Sequence, residues 1–249
     1  MEINKLLIIC LVLLGFVACR LNDVDEAFNI KAGYEYYPLK VGKYLVYKVD
    51  SITYDNVNNQ TVKIGASRYV KELVADTFRN SLNELVYKLE RYDKVDLNDP
   101  WELRNVWSAS RQEEQLVKTE DNFRFIKLVF PIRKGKSWNG NAYFDPTTII
   151  QVADESVEVF KNWNYNYTSI DKPETINGIR YDSVAVVSQV DDQNNLIELR
   201  FSKEKYAKNI GLVSKEMKIL DTQKISSKEP WENKAEKGFI MFQKLIEHN

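Results

Sequence analysis

Short runs of β-branched and aromatic residues follow one another along most of this chain, and polar turns separate them. The first clear run is Tyr44 to Tyr54, and the polar turn from Asn56 to Gln60 leads to the next. Such residues favour strands, and short polar turns join strands that run in opposite directions. Because no long helical pattern alternates with the runs, a parallel α/β sheet is disfavoured. The sequence predicts a mainly β fold, an antiparallel meander with little helix.

The later predicted strands share the same composition and similar spacing. They are Val62 to Phe78, Leu85 to Tyr92, Leu103 to Ala109, Leu116 to Thr119, Phe123 to Phe130, Val157 to Phe160, Trp163 to Ile170, Arg180 to Val190, Leu196 to Ser202, Leu212 to Leu220 and Phe239 to Ile246. The segment from Ser202 to Ala207 is dominated by Lys and Glu, which predicts one short helix there.

One sequence pattern occurs twice. Tyr37 to Tyr44 and Phe130 to Trp138 each place an aromatic residue, Pro, an aliphatic residue and a basic residue ahead of Gly-Lys and a second aromatic. Proline cannot donate to a β ladder and glycine permits positive φ, so each segment predicts a turn that leads into a strand. Either the chain is a duplicated module, or a good turn is used twice. We expect one domain over 37–249, with sub-sheets 37–129 and 130–249 as the alternative.

The N-terminal segment predicts an exported protein. An apolar run from Leu6 to Ala18 is shorter than the about 20 residues of a transmembrane helix and fits a signal peptide. Phe16-Val17-Ala18-Cys19 resembles the lipobox of bacterial lipoproteins, which implies cleavage before Cys19 and acylation of that residue. An uncleaved membrane anchor and an ordinary secretory peptide are the alternatives.

The lipobox resemblance divides the N-terminal part of the chain into two segments. It implies a signal peptide over residues 1–18 and a lipidated, palmitate-bearing tether over 19–36. The expected location is the cell envelope, with the lipid anchoring the protein to the outer membrane on either its periplasmic or its surface face.

The scarcity of thiols and imidazoles excludes several kinds of chemistry. Cys10 would leave with the signal peptide, Cys19 would carry the lipid, and the only histidine, His248, is penultimate. We therefore predict no disulfide, no His/Cys metal site, no cofactor and no catalytic residue. With 35 basic and 36 acidic residues, the chain has no global charge that would attract nucleic acid.

Paired carboxylates are the remaining candidates for hydrolysis. Asp191-Asp192 and the pair Asp96 and Asp99 stand close in sequence. Asp191 to Asn195 separates two predicted strands, so a solvated hairpin turn is the favoured interpretation of that segment. Calcium binding at this tip is an alternative, although the segment lacks the regular ligand spacing of an EF-hand loop.

Aromatic and amide side chains alternate in one predicted strand. Trp163, Tyr165 and Tyr167 share one face, and asparagines alternate with them on the other. An aromatic row beside amides suits a sugar platform, whereas the plain interpretation is a core-facing row under a polar face. With the Trp138 loop, the predicted ligand-binding residues are Trp138, Asn139, Asn141, Trp163, Tyr165 and Tyr167.

Several segments together resemble uncharacterised Bacteroidetes lipoproteins. With the lipobox cysteine, they are Tyr37 to Gly42, Phe123 to Pro131, Trp138 to Asn141 and Tyr206 to Val213. This resemblance spans most of the mature chain and brings no assigned activity. Tyr206 to Val213 is also similar to a segment of lipoprotein carriers such as LolA, which implies a curved sheet, a half-barrel or barrel-like domain around a lipid-binding hollow.

The expected function is that of a lipid-anchored envelope protein without enzymatic activity, a binding or assembly module for a glycan, a lipid or an envelope protein. The alternatives are a LolA-like carrier of a lipid or other hydrophobic ligand, and a carboxylate-dependent hydrolase. An apolar hollow would favour the carrier, and convergent carboxylates with raised pKa values would favour the hydrolase. A solid core with an exposed Trp138 would favour the binding module.

Overall fold

The structure is a computed structural model that describes residues 32–58 and 60–249. Cys19 and the predicted signal peptide lie outside the described residues. Twelve strands of the described part form one antiparallel sheet, and β8 and β9 pair separately. The strands are β1 (Tyr44–Val57), β2 (Gln60–Arg79), β3 (Leu85–Lys94), β4 (Glu102–Arg111), β5 (Gln115–Glu120), β6 (Phe123–Val129), β7 (Ser137–Trp138), β8 (Ile150–Val152), β9 (Glu155–Val157), β10 (Tyr165–Ile176), β11 (Ile179–Asp192), β12 (Glu198–Ala207), β13 (Gly211–Asp221) and β14 (Lys237–His248). The predicted antiparallel, mainly β fold is confirmed.

The sheet curves round until its two ends nearly meet. Its strand order is β6-β5-β4-β3-β2-β1-β14-β13-β12-β11-β10-β7, so β1 pairs with β14 at the centre of the order. At the outer ends, the Ile126 N–H of β6 donates to the Gly140 carbonyl at 2.8 Å. The result is a nearly closed barrel, which leaves less of the β6 edge unpaired than an open sheet would.

A tyrosine and a tryptophan complete this junction. The hydroxyl of Tyr167 accepts from the Val129 N–H at 3.0 Å and donates to the Val129 carbonyl at 2.9 Å. The indole N–H of Trp138 donates to the Ile126 carbonyl at 2.8 Å. We call the junction formed by Ile126, Val129, Trp138, Gly140 and Tyr167 the seam. At the seam, side chains therefore supply hydrogen bonds that a neighbouring strand supplies elsewhere in the sheet.

The two copies of the repeated sequence pattern form the same turn. Gly42 and Gly135 have φ of 88° and 81°, and each turn is closed by a hydrogen bond, from Lys43 N to Lys40 O and from Lys136 N to Arg133 O. Each turn leads into a strand, β1 or β7, as predicted.

The two turns also dock in the same way on the adjacent long strand. Gly42 N donates to Val74 O of β2 at 2.8 Å, and Gly135 N donates to Tyr167 O of β10 at 2.8 Å. The likeness therefore extends from the turn to its neighbour in the sheet. Both parts of the chain, 37–129 and 130–249, contribute six strands to the one sheet.

Two local predictions are wrong. The segment from Ser202 to Ala207 is not a helix but the end of β12, because Ser202, Glu204 and Tyr206 point inward in a period of two while the lysines between them are partly exposed. The predicted strand from Val157 to Phe160 ends at Val157, where β9 ends, and continues as a turn.

Tyrosines form much of the core. Tyr36, Tyr47, Tyr54, Tyr165, Tyr167 and Tyr206 are all at most 2 % exposed. A short 3-10 helix, Tyr34–Tyr36, and a single-turn α-helix, Trp231–Lys234, pack beside the sheet. Among residues 32–58 and 60–249, no helix has the length and apolar character needed to cross a membrane.

Candidate functional site

The barrel contains a chamber lined by charged side chains. It has a volume of about 170 Å³. Its ionic lining comes from six strands and consists of Arg68, Glu72, Arg91, Lys118, Glu120, Lys127, Glu204 and Lys215. We call this cavity the charged chamber. Burying so many charges is unfavourable unless they compensate one another, so its ion pairs decide its properties.

The ion pairs of the charged chamber form a chain across the barrel interior. Lys118 lies 2.8 Å from Glu72 and 3.3 Å from Glu120. Lys127 lies 3.6 Å from Glu120 and 2.7 Å from Glu204. The hydroxyl of Tyr206 also donates to Glu204, which is fully buried. These contacts compensate the buried carboxylates.

Lysine ammonium groups hold two of the carboxylates in the ionised form. Burial alone raises the pKa of Glu120 and Glu204, but the nearby lysines, Lys127 first among them, outweigh burial and lower both pKa values. Burial opposes the charge of Lys118 and Lys127, but the carboxylates outweigh it and raise the pKa of each lysine.

Lys215 is the exception among these lysines. It lies 3.3 Å from Glu204, and its side chain is 15 % exposed. Burial lowers its pKa, and the charge of Lys127 lowers it further, against the smaller effects of Glu204 and Glu120. Lys215 therefore carries the least compensated ammonium group of the three lysines in the charged chamber.

A second, aromatic chamber adjoins the charged one. It has a volume of about 270 Å³ and shares Glu120, Lys127 and Lys215 with the charged chamber. The remaining lining is mostly apolar and comprises Asp121, Phe123, Phe125, Ile150, Val159, Phe160, Trp163, Tyr165, Met217 and Phe239. We call this cavity the aromatic chamber. Together the two chambers reach the range of about 300–1,000 Å³ typical of small-molecule sites.

Aromatic rings pack against one another along the wall of the aromatic chamber. The ring centroids of Phe123 and Phe160 lie 5.3 Å apart, and those of Phe160 and Trp163 also lie 5.3 Å apart. Phe125 joins the same group at 5.4 Å from Phe160. Contacts of this geometry are mutually stabilising, so the wall is preformed.

Two buried donors that line the chambers lack a partner. The indole Nε1 of Trp163, in the aromatic chamber, and the guanidinium Nε of Arg91, in the charged chamber, make no hydrogen bond within residues 32–58 and 60–249. An unsatisfied buried donor is costly, but both atoms are covered by protein and neither faces the open space of the chamber that its residue lines.

The predicted aromatic row lies in the core, as its plain interpretation had it. Trp163 is 8 % exposed, whereas Tyr165 and Tyr167 are fully buried. The hydroxyl of Tyr165 donates to Asn141, and that of Tyr167 is used at the seam. These polar groups are satisfied internally and do not form an exposed sugar platform. Of the three residues in this row, Trp163 and Tyr165 line the aromatic chamber and Tyr167 does not.

The predicted Trp138 loop is part of the barrel wall. Trp138 is partly buried and bonded at the seam, and Asn141 is buried. Asn139 is exposed, but its side-chain oxygen accepts from the Asn141 N–H at 3.0 Å. The loop is therefore folded onto the barrel wall, with the indole N–H of Trp138 already bonded.

The predicted carboxylate pairs lie away from both chambers. Asp191 and Asp192 end β11, and residues 193–197 form the connection to β12, which confirms the hairpin. Asp96 and Asp99 lie in the exposed connection between β3 and β4. The described residues contain no group of three or more His, Cys, Asp or Glu side chains placed to hold a metal ion.

The charged chamber was not predicted from the sequence. Glu204 comes from a segment whose neighbouring lysines, Lys203 and Lys205, are partly exposed. A signal was nevertheless present, because Glu204 shares its strand face with Tyr206, and Lys118 with Leu116. A charge at an inward position beside an apolar neighbour indicates a charge inside the sheet.

Comparison with known proteins yields structural similarity alone. No protein-family model and no curated protein matches the chain. A candidate exported protein with a YmcC-like fold from Bacteroides fragilis NCTC 9343 is similar, with 8 % identity, a TM-score of 0.41 and coverage of 86 % of this chain and 98 % of that one. A candidate lipoprotein from Parabacteroides distasonis ATCC 8503 is similar with 10 % identity, a TM-score of 0.40 and the same coverages.

Proposed function

We propose that this protein is a lipid-anchored, non-enzymatic binding module of the cell envelope that holds an apolar ligand inside its barrel. The observation that carries the proposal is the aromatic chamber, about 270 Å³ in volume and lined mainly by apolar side chains. Concave, mostly apolar cavities with a few polar groups are typical of ligand sites. Among the functions considered from sequence, this chamber favours the carrier of a hydrophobic ligand.

The ionised state of the carboxyl groups in the charged chamber supports a binding function over hydrolysis. A carboxylate hydrolase needs one carboxyl group with a raised pKa to act as the acid. Lysines instead lower the pKa values of Glu120 and Glu204. These two carboxylates serve as fixed negative charges between lysines.

The envelope location is proposed from the N-terminal sequence. Cys19 follows the lipobox-like residues Phe16 to Ala18. The wild type should incorporate labelled palmitate and fractionate with outer membranes, and Cys19→Ala should do neither. Membrane fractionation of Cys19→Ala, together with an unlabelled wild type, would contradict the anchor.

Native purification of the full chain, followed by mass spectrometry of bound molecules, tests the ligand. We expect a reproducible apolar ligand on the wild type. Met217→Trp fills part of the aromatic chamber and should lose this ligand, whereas Val62→Trp, on exposed β2, should keep it. A stable protein partner without an apolar molecule would favour an assembly role and overturn the proposal.

A further inference from the structure

The charged chamber contains more positive than negative groups. Apart from Arg68, which is 58 % exposed, four cations face three carboxylates in the described part of the chain. The cations are Arg91, Lys118, Lys127 and Lys215, and the carboxylates are Glu72, Glu120 and Glu204. One further anion would balance the set, and that balance is favourable because buried charges are poorly screened by water.

The uncompensated positive charge is concentrated at Lys215. Its ion-pair partner, Glu204, lies at 3.3 Å and is shared with Lys127, which is closer at 2.7 Å. Burial and the neighbouring Lys127 lower the pKa of Lys215, the sign expected of an ammonium group short of negative charge. Lys215 and Lys127 both line the aromatic chamber as well.

The apolar wall and the excess cation meet at one place. Lys127 and Lys215 line both chambers, whereas Trp163 Nε1 and Arg91 Nε are fully covered and their residues line different chambers. The site therefore combines an apolar wall with an excess cation.

Resting on the proposed function, we infer that the ligand is a single-chain fatty acid, with its carboxylate beside Lys215 and Lys127 and its alkyl chain in the aromatic chamber. The carboxylate brings the missing negative charge. The alkyl chain covers the rings of Phe123, Phe125 and Phe160, whose burial is favourable. Asp121, exposed at one side of this chamber, marks where the cavity meets solvent.

Ligands with alkyl chains of equal length but different head groups separate the contribution of the head group to binding from that of the alkyl chain. We would titrate the full chain, held in a non-ionic amphipol, with ω-bromolaurate, ω-bromododecanol, ω-bromododecyl phosphate and an ω-bromododecyl trimethylammonium salt. The terminal bromine quenches nearby tryptophan fluorescence, and Trp163 lines the aromatic chamber. Trp163→Phe, which keeps an aromatic ring in the wall, should remove most of the quenching.

The expected result is that the laurate derivative binds at least about tenfold more tightly than the alcohol, because a hydrogen-bonded charge is worth about that factor. Lys215→Met should abolish this preference, because the laurate head then lacks the cation beside it. Lys218→Met is the matched control, because Lys218 is on the same strand and pairs with Glu216 at 3.1 Å outside both chambers. It should keep the preference.

Each of the other outcomes contradicts either the inferred fatty acid or the proposed function. Equal binding of laurate and alcohol would overturn the inferred carboxylate head and leave the apolar ligand of the proposed function in place. Tighter binding of the phosphate or the ammonium derivative would also overturn the fatty acid. If no derivative quenches the wild type while its thermal unfolding is cooperative, both the inference and the proposed function fail.

Discussion

Lys127 on β6 and Glu204 on β12 form an ion pair across the barrel interior, with Nζ and Oε1 2.7 Å apart and side chains 4 % and 0 % exposed. The two residues are 77 positions apart in sequence and belong to different parts of the sheet. Their pairing therefore links β6, an outer strand at the seam, to β12 through the barrel interior. The desolvation of both charges makes the pair sensitive to the loss of either partner.

Replacing Lys127 by methionine should destabilise the fold strongly. The variant leaves Glu204 and Glu120 buried with less positive charge, and such losses cost roughly 3–5 kcal/mol. Urea denaturation of wild type and variant measures the difference. Lys215→Met is the comparison, and because burial lowers the pKa of Lys215, its removal should cost much less. Equal losses in both variants would show that Lys215 is compensated as fully as Lys127.

Acid should destabilise the protein through the same cluster. The pKa values of Glu120 and Glu204 are lowered in the folded state from the ordinary value of 4.5. Their contribution to stability is therefore fully present above pH 4.5 and is lost as pH falls through the folded pKa values. Urea midpoints measured from neutral pH into acid should fall below about pH 4.5.

Glu204→Gln provides the matched control for this pH dependence. The variant lacks one of the two lowered carboxyl groups, so its stability should depend less steeply on pH in the acid range than that of the wild type. It should also be less stable at neutral pH, since Lys127 then loses its closest carboxylate. Parallel acid profiles for both proteins would show that Glu204 does not contribute to the acid transition.

Local patterns predict the strands well, and they fail where the sheet context overrides composition. β1 and β11 are predicted within a few residues because β-branched and aromatic residues mark them. β12 is missed between Ser202 and Ala207, where Lys and Glu indicate a helix. Pairing on both sides, with β11 and β13, decides the conformation there.

The candidate site is less predictable than the fold because it depends on contacts between distant strands. The alternation of Trp163, Tyr165 and Tyr167 predicts a shared face, and all three side chains are buried. Whether that face meets solvent, core or cavity depends on how the barrel closes. Only closure brings Lys127 and Lys215 beside the aromatic wall.

Replacing the glycine of either repeated turn by alanine should lower the stability of the fold. Gly42 and Gly135 have positive φ, and a Cβ at either position would contact nothing within 4 Å. Alanine at either position therefore costs mainly backbone strain, about 1–2 kcal/mol. Gly65→Ala is the control, since Gly65 has open space and no positive φ, and it should leave stability unchanged or slightly higher.

Thermal and urea unfolding of the three alanine variants measure these effects. The two turn variants should lose similar amounts, because their turns share geometry and docking. A loss confined to Gly42→Ala would show that the turn before β7 contributes less to the sheet than the turn before β1.

Removing the hydroxyl of Tyr167 should open the seam. In Tyr167→Phe, the N–H and carbonyl of Val129 lose the partner that binds them at 3.0 and 2.9 Å, in a fully buried place. Unsatisfied buried groups of this kind cost about 1–3 kcal/mol each, so the variant should be clearly destabilised. Hydrogen exchange of the Val129 amide should accelerate by more than the global loss of stability explains.

Tyr47→Phe distinguishes closure of the seam from the general loss of a buried hydroxyl. Tyr47 is 2 % exposed and donates one hydrogen bond, to the Leu212 carbonyl at 3.1 Å, away from the seam. This variant should also lose stability, but exchange at Val129 should change only in step with global stability. If both variants accelerate Val129 exchange equally, Tyr167 does not hold the seam closed, and the β6 edge is maintained by the bonds of Ile126 to Gly140 and Trp138 instead.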